Sequence, residues 1–163
     1  MEIWDAYKAD GLPANCDLIR GESIPKGLYH LVCETLVVHT DGSYLLMQRD
    51  LNKESHPGMF EATAGGSALK GESPANAALR ELREETGIDA DELVQVNRTN
   101  GDNTIYYSYL CMTDSDKSAI RLQAGETISY RWVSKDDFLK FMDSSKCIQA
   151  QRDRLMPYIK SIR

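Results

Sequence analysis

Residues 66–88, GSALKGESPANAALRELREETGI, constrain the fold more than any other stretch, because they combine helix start and stop signals with a dense run of acid. Ser73 can cap a helix that begins at Pro74, where the missing N–H leaves no bond unmade, and Gly87 suits the left-handed residue that ends one. A helix over about 74–86 follows. At ~100° per residue, Ala75, Ala78, Leu79, Leu82 and Thr86 share one face, and Glu81, Glu84 and Glu85 lie on an arc beside it. Glu81 and Glu85 repel at i,i+4, while Glu84 and Glu85 meet the negative end of the helix dipole. Arg80 can pair with Glu84 and relieve part of that cost. Three crowded carboxylates at a helix C-terminus are most simply explained by a bound divalent cation. A solvated acidic face, the ordinary meaning of ELREE, leaves the neighbouring glycines unexplained. With a cation, Gly65-Gly66 lets a backbone carbonyl turn toward the same ion, and Gly71-Glu72 completes a tight loop into the cap.

Gly66, Glu72, Arg80-Glu81-Leu82, Glu84-Glu85 and Gly87-Ile88 match the Nudix box without a gap, so the chain resembles the Nudix hydrolases. The resemblance implies an α/β fold, an α/β/α sandwich with a mixed β-sheet. It also implies Mg2+-dependent hydrolysis of a diphosphate linkage in a nucleoside or other organic diphosphate, with Mn2+ able to substitute. Position by position, it gives Glu84 and Glu85 to the metal and Glu81 to the metal set or to the proton of the attacking water. It gives Arg80 to orienting the carboxylates and Gly65 to a backbone carbonyl ligand, with Glu72 more peripheral. Family members recruit one more acid from a distant loop, and Glu126 in AGETISYRWVS is the candidate. The chemistry is consistent: cations offset the charge of a diphosphate, lower the pKa of a bound water and align nucleophile with leaving group. Magnesium takes oxygen ligands and keeps waters, which suits a glutamate cluster on an open cleft.

The segment LLMQRDLNKESHPGMFEATAGG, with WDAY near the start and YHLV at 29–32, resembles a Nudix subgroup related to isopentenyl-diphosphate isomerase. By that resemblance Arg49 and Lys53 are candidate contacts to the substrate diphosphate. Isomerase activity is the alternative reading, and two positions oppose it. The isomerase's catalytic cysteine falls on Gly65, and one of its metal histidines falls on Ser67. His30 matches another of those histidines, although a lone histidine beside a strand is more often structural. Cys33, in the first long strand, reads as core.

The length of 163 residues fits one domain, 1–163, with residues 1–30 as an N-terminal strand or hairpin extension. A net charge of −6 argues against a broad nucleic-acid surface, and a small-molecule diphosphate is the expected partner. No apolar run is long enough for a bilayer and the first residues lack signal-peptide character, so a cytoplasmic location is expected. Oligomeric state is left open, a homodimer included. The four cysteines have no CxxC spacing and read as buried or free thiols. Leu31 to His39 and Ser43 to Gln48 form a hairpin about Asp41-Gly42. Further strands are expected at about 93–98, 104–112 and 128–133, and helices at about 135–142 and 146–161. Tyr106 and Tyr107 are candidates to stack a base, with strand alternation sending one of them to the core.

Overall fold

The computed structural model describes residues 1–163, and the chain opens with a hairpin of β1 (Ile3–Tyr7) and β2 (Pro13–Ile19) that forms its own two-stranded sheet. Trp4, Ala6 and Leu18 make a small apolar cluster beneath it. The hairpin is tied to the body by Tyr7, which exchanges backbone hydrogen bonds with Tyr29, and by Lys70, whose N–H donates to the Ile3 carbonyl.

The main sheet has seven strands, and its axis is β3 (His30–His39). LVCETLVVH is almost continuously apolar because both faces of this strand are covered. Leu36 and Val38 face one way, with Tyr44 and Leu46 of β4 (Tyr44–Arg49); Cys33 and Val37 face the other, with Leu45 and Met47. β4 pairs with β3 only beside the Asp41-Gly42 turn, at Val38 and Tyr44. The two strands then part, and residues 60–67 fill the gap: β5 (Phe60–Glu61) pairs with β4, and β6 (Thr63–Ser67) with β3. Gly65 and Gly66 therefore lie in a strand, not in the loop their composition suggests. Gly65 stands opposite Glu34, so close that a Cβ would sit 2.2 Å from the Cys33 carbonyl oxygen. Glycine is used here for proximity, not for a turn.

Helix α1 (Pro74–Thr86) has the ends expected of it: Ser73 Oγ accepts from the Asn76 N–H at 3.2 Å, and Gly87 adopts φ 76°. Its buried face comprises Ala77, Ala78, Leu82, Glu85 and Thr86, so it is turned from the expected one: Ala75 is exposed and Ala77 is inside. That rotation carries Glu85 out of solvent. After α1, β7 (Val94–Asn100) and β8 (Thr104–Thr113) form a hairpin, and β8 runs parallel to β3 over its whole length. A 3₁₀ turn at Lys117–Ala119 precedes β9 (Thr127–Val133), which pairs with the free edge of β4. Helices α2 (Lys135–Met142) and α3 (Gln149–Ile162) cover the face opposite α1, where Phe138, Met142, Leu155 and Ile159 meet Leu36, Tyr44 and Leu46. The result is an α/β/α sandwich around a mixed sheet.

Candidate active site

A cleft of ≈ 420 Å3 lies between β6, the second half of α1, the loop after β4, the loop before β9 and the N-terminal hairpin. It is lined by Gly65, Gly66, Glu81, Glu84, Glu85 and Arg80, with Lys53 and Glu126 opposite; Val32 and Leu69 are its only apolar lining residues. Of the two expected diphosphate contacts, Lys53 lines the cleft and Arg49 is kept out of it. Its guanidinium is bound to Glu61, at 3.1 Å, and to the carbonyl and hydroxyl of Ser55. Arg49 thus braces the loop that carries Lys53. Lys53 pairs directly with Glu126 on the same wall, where the Asp50 N–H donates to the Glu126 carbonyl.

Arg80 organises the acids. Its Nε and Nη2 hold both oxygens of Glu72, at 2.7 and 3.0 Å; Nη1 reaches Glu81 at 2.7 Å and Glu84 at 3.3 Å; Nη2 also donates to the Ser67 carbonyl. A planar fork with five donors makes this possible, and lysine could not reproduce it. Glu72 also accepts from the Leu69 N–H, so it locks the loop before the helix to the arginine, and these bonds hold its carboxyl below the usual range. Gly66 completes the fit, since a Cβ there would fall 2.6 Å from the Glu81 carboxylate.

The remaining acids are crowded. Burial pushes the Glu85 carboxyl well above the ordinary glutamate value, and the carboxylates of Glu61, Glu81 and Glu126 push it further; the Gly65 N–H, 3.1 Å from Glu85 Oε2, offsets only part. Burial also raises Glu81, against the pull of Arg80. Clustered oxygen donors whose ionisation is opposed by their neighbours suit a hard divalent cation. No three acidic, histidine or cysteine side chains yet converge on a single point, because Arg80 draws Glu81 and Glu84 while the Gly65 N–H draws Glu85.

Sequence reasoning missed Glu2, Arg20 and Gln123, which also line the cleft. Glu2 accepts from the Trp4 indole at 2.7 Å and from Arg20 at 3.0 Å. Nothing local marks these residues, because the hairpin reaches the cleft only through tertiary docking. His30 lies outside the lining: its ring packs on Trp4 with centroids 4.3 Å apart and Nε2 bonds Thr104 Oγ1. Tyr106 and Tyr107 are outside it as well. Tyr106 lies under Arg154, 4.3 Å from guanidinium carbon to ring centre, and Tyr107 lies near Arg98.

The NUDIX domain model matches residues 30–155. An uncharacterised Nudix hydrolase of Listeria monocytogenes is 29% identical over 154 residues, covering 91% of this chain and 89% of its own. An isopentenyl-diphosphate Delta-isomerase of Escherichia coli is 27% identical, over 72% of this chain and 69% of the isomerase. In three dimensions, the protein DR0079 of Deinococcus radiodurans superposes with a TM-score of 0.76 over 96% of this chain and 99% of its own, at 15% identity. A MutT protein of Methanosarcina mazei gives 0.65 over 86% and 99%, at 25% identity. The first of these two shows the fold alone. With the domain match spanning most of the chain and Gly66, Arg80, Glu81, Glu84 and Glu85 of its box on one cleft, the protein belongs to the Nudix family and is a hydrolase acting on diphosphate bonds.

Proposed function

We propose that the chain, a single domain with the N-terminal hairpin as its extension, hydrolyses a nucleoside or other organic diphosphate in the cytoplasm, with Mg2+ as its cofactor and Mn2+ as a substitute. The observation that carries this reading is the set Glu81, Glu84 and Glu85 on one polar cleft, the first two on a shared arginine and the third on the Gly65 N–H. These three side chains, with the Gly65 backbone and Glu126, would hold the cation. The cation would offset substrate charge and make a bound water more acidic. Glu81, bonded to Arg80 and part of the cleft wall, would also take the proton of the attacking water. Arg80 orients it and stays charged, because Glu72 holds the guanidinium by two bonds. Lys53 supplies the cation on the opposite wall, where it can exchange Glu126 for a phosphate oxygen.

The similarity to isopentenyl-diphosphate isomerases makes isomerisation the competing reading. Gly65 weighs against it: where the isomerase is expected to carry its cysteine, any side chain would collide with the Cys33 carbonyl at 2.2 Å. Two experiments test the choice. Nucleotide sugars, dinucleoside polyphosphates, coenzymes and isoprenyl diphosphates are incubated with Mg2+, and phosphate is scored after phosphatase treatment. Release from at least one diphosphate ester is expected, and none from any of them rejects the reading. Proton NMR of isopentenyl diphosphate with the enzyme in deuterated water should show no deuterium entering carbon positions; uptake at a catalytic rate would replace hydrolase by isomerase.

A further inference from the structure

On the opposite face of the sheet from α1, Leu46, Met59, Phe60 and Phe141 line a second pocket of ≈ 310 Å3, with Arg131 and Lys146 at its rim. It shares no lining residue with the catalytic cleft. Its two cations have no carboxylate partner. Arg49, Arg80 and Arg154 each hold a carboxylate, whereas Arg131 and Lys146 form no ion pair. Arg131 is held instead by the ring of Phe60, with its guanidinium carbon 3.8 Å from the ring centre. A guanidinium fixed by stacking keeps its N–H edge free, already oriented for a planar two-oxygen acceptor.

We propose that this pocket is a binding site for a small organic carboxylate with a flat apolar body, the body against Phe60, Met59 and Phe141 and the carboxylate on Arg131 and Lys146. Removing apolar surface from water drives the body in, and the charge-assisted bonds at the rim fix its direction. The pocket's volume is at the small-molecule end of known ligand sites, about 300–1,000 Å3.

The probe is 2-naphthoate, titrated calorimetrically into the whole protein beside neutral 2-naphthol and plain acetate. The expected result is that 2-naphthoate binds, that 2-naphthol and acetate bind at least about tenfold more weakly, and that R131Q and K146Q each weaken 2-naphthoate by about tenfold or less, with the double variant weaker than either. Both positions are on the surface, and unchanged melting of the variants verifies the fold. In amide NMR the shifts should gather at Met59, Phe60 and Phe141. Affinity that R131Q and K146Q leave unchanged, acetate as strong as naphthoate, or shifts centred on Gly65, Gly66 and Glu84 would each overturn the proposal. So would a dimer in light scattering that R131Q abolishes, since the face would then receive a second copy.

Discussion

Among the arginines that hold carboxylates inside the fold, Arg154 and Arg80 differ in how many they meet. Arg154 of α3 meets one, Glu34 of β3, through two bonds of 2.8 Å, and Ser108 Oγ supplies a further donor at 2.7 Å. Arg80 of α1 is divided among Glu72, Glu81 and Glu84, with Glu85 close by and held only by a backbone N–H. The first pair is closed: charge is matched and every oxygen is used. The second has acid left over, on the wall of a cleft. A buried ion pair that balances is part of the frame, while an unbalanced one is a place prepared for a further charge.

The largest expected effect tests the closed pair. Arg154→Met leaves Glu34 buried without its counterion and should cost about 3–5 kcal/mol of stability, while turnover per folded molecule stays near that of the parent. Denaturant titration with activity normalised to folded fraction measures both. A stable variant without activity would move this pair into the site and break the contrast.

Next in size, Glu84→Gln and Glu85→Gln should each lower turnover by about a hundredfold or more, because each removes a charged oxygen donor from the proposed cation set. Glu85→Gln should leave the melting temperature unchanged or higher, since it removes a charge that burial opposes. Near-parental rates in both variants would remove these residues from the chemistry.

A smaller effect links pH to the cation. The Glu85 carboxyl is raised above 4.5 in the folded chain, so the fold holds its proton more tightly than the unfolded chain does. Stability from that group is complete below the unfolded value and is lost as pH rises through the folded one. Glu81 and Glu61 shift the same way, mainly through burial, whereas Glu72 is shifted down and titrates below that window. Thermal melts in EDTA should therefore be lower at a pH well above the ordinary glutamate range than within it, and Mg2+ should raise the melting temperature more at the higher pH. Equal gains at both would mean that the acids do not bind the ion as a charged set.

Smallest is Lys53→Ala. It should raise KM several-fold with less change in kcat, because substrate and transition state share the phosphate charge it would meet. Steady-state kinetics on whichever diphosphate the screen selects reads this directly, and an unchanged KM would leave Lys53 as the partner of Glu126 alone.

Local chemistry made α1 readable in advance. Ser73, Pro74 and Gly87 act within a few residues of the ends they define, and both ends fall where those residues indicate. The two strands about Asp41-Gly42 were also open to reading, because an apolar run and a turn signal lie side by side in the chain, but their pairing ends after Val38 and Tyr44, where β5 and β6 come between them. What stayed hidden depends on distant partners. Glu34 looks like a polar interruption in an apolar strand until Arg154, 120 residues later, docks on it. Arg49 has the right neighbours for a phosphate contact, yet Glu61 takes it. The glycines at 65 and 66 read as a turn, and only the closeness of β3 and of Glu81 explains them as strand residues.

Glu2 lies in the wall of the cleft that holds Glu81, Glu84 and Glu85, and Met1 is 99% exposed beside it. Whatever precedes Glu2 in a recombinant protein, a purification handle or a cleavage scar, therefore leaves the body at the mouth of the cleft, where a histidine tract could offer imidazoles to the very cation being assayed. Handles for biochemistry belong after Arg163, on the far end of α3, where the last residues pair with Asp143 and not with the cleft.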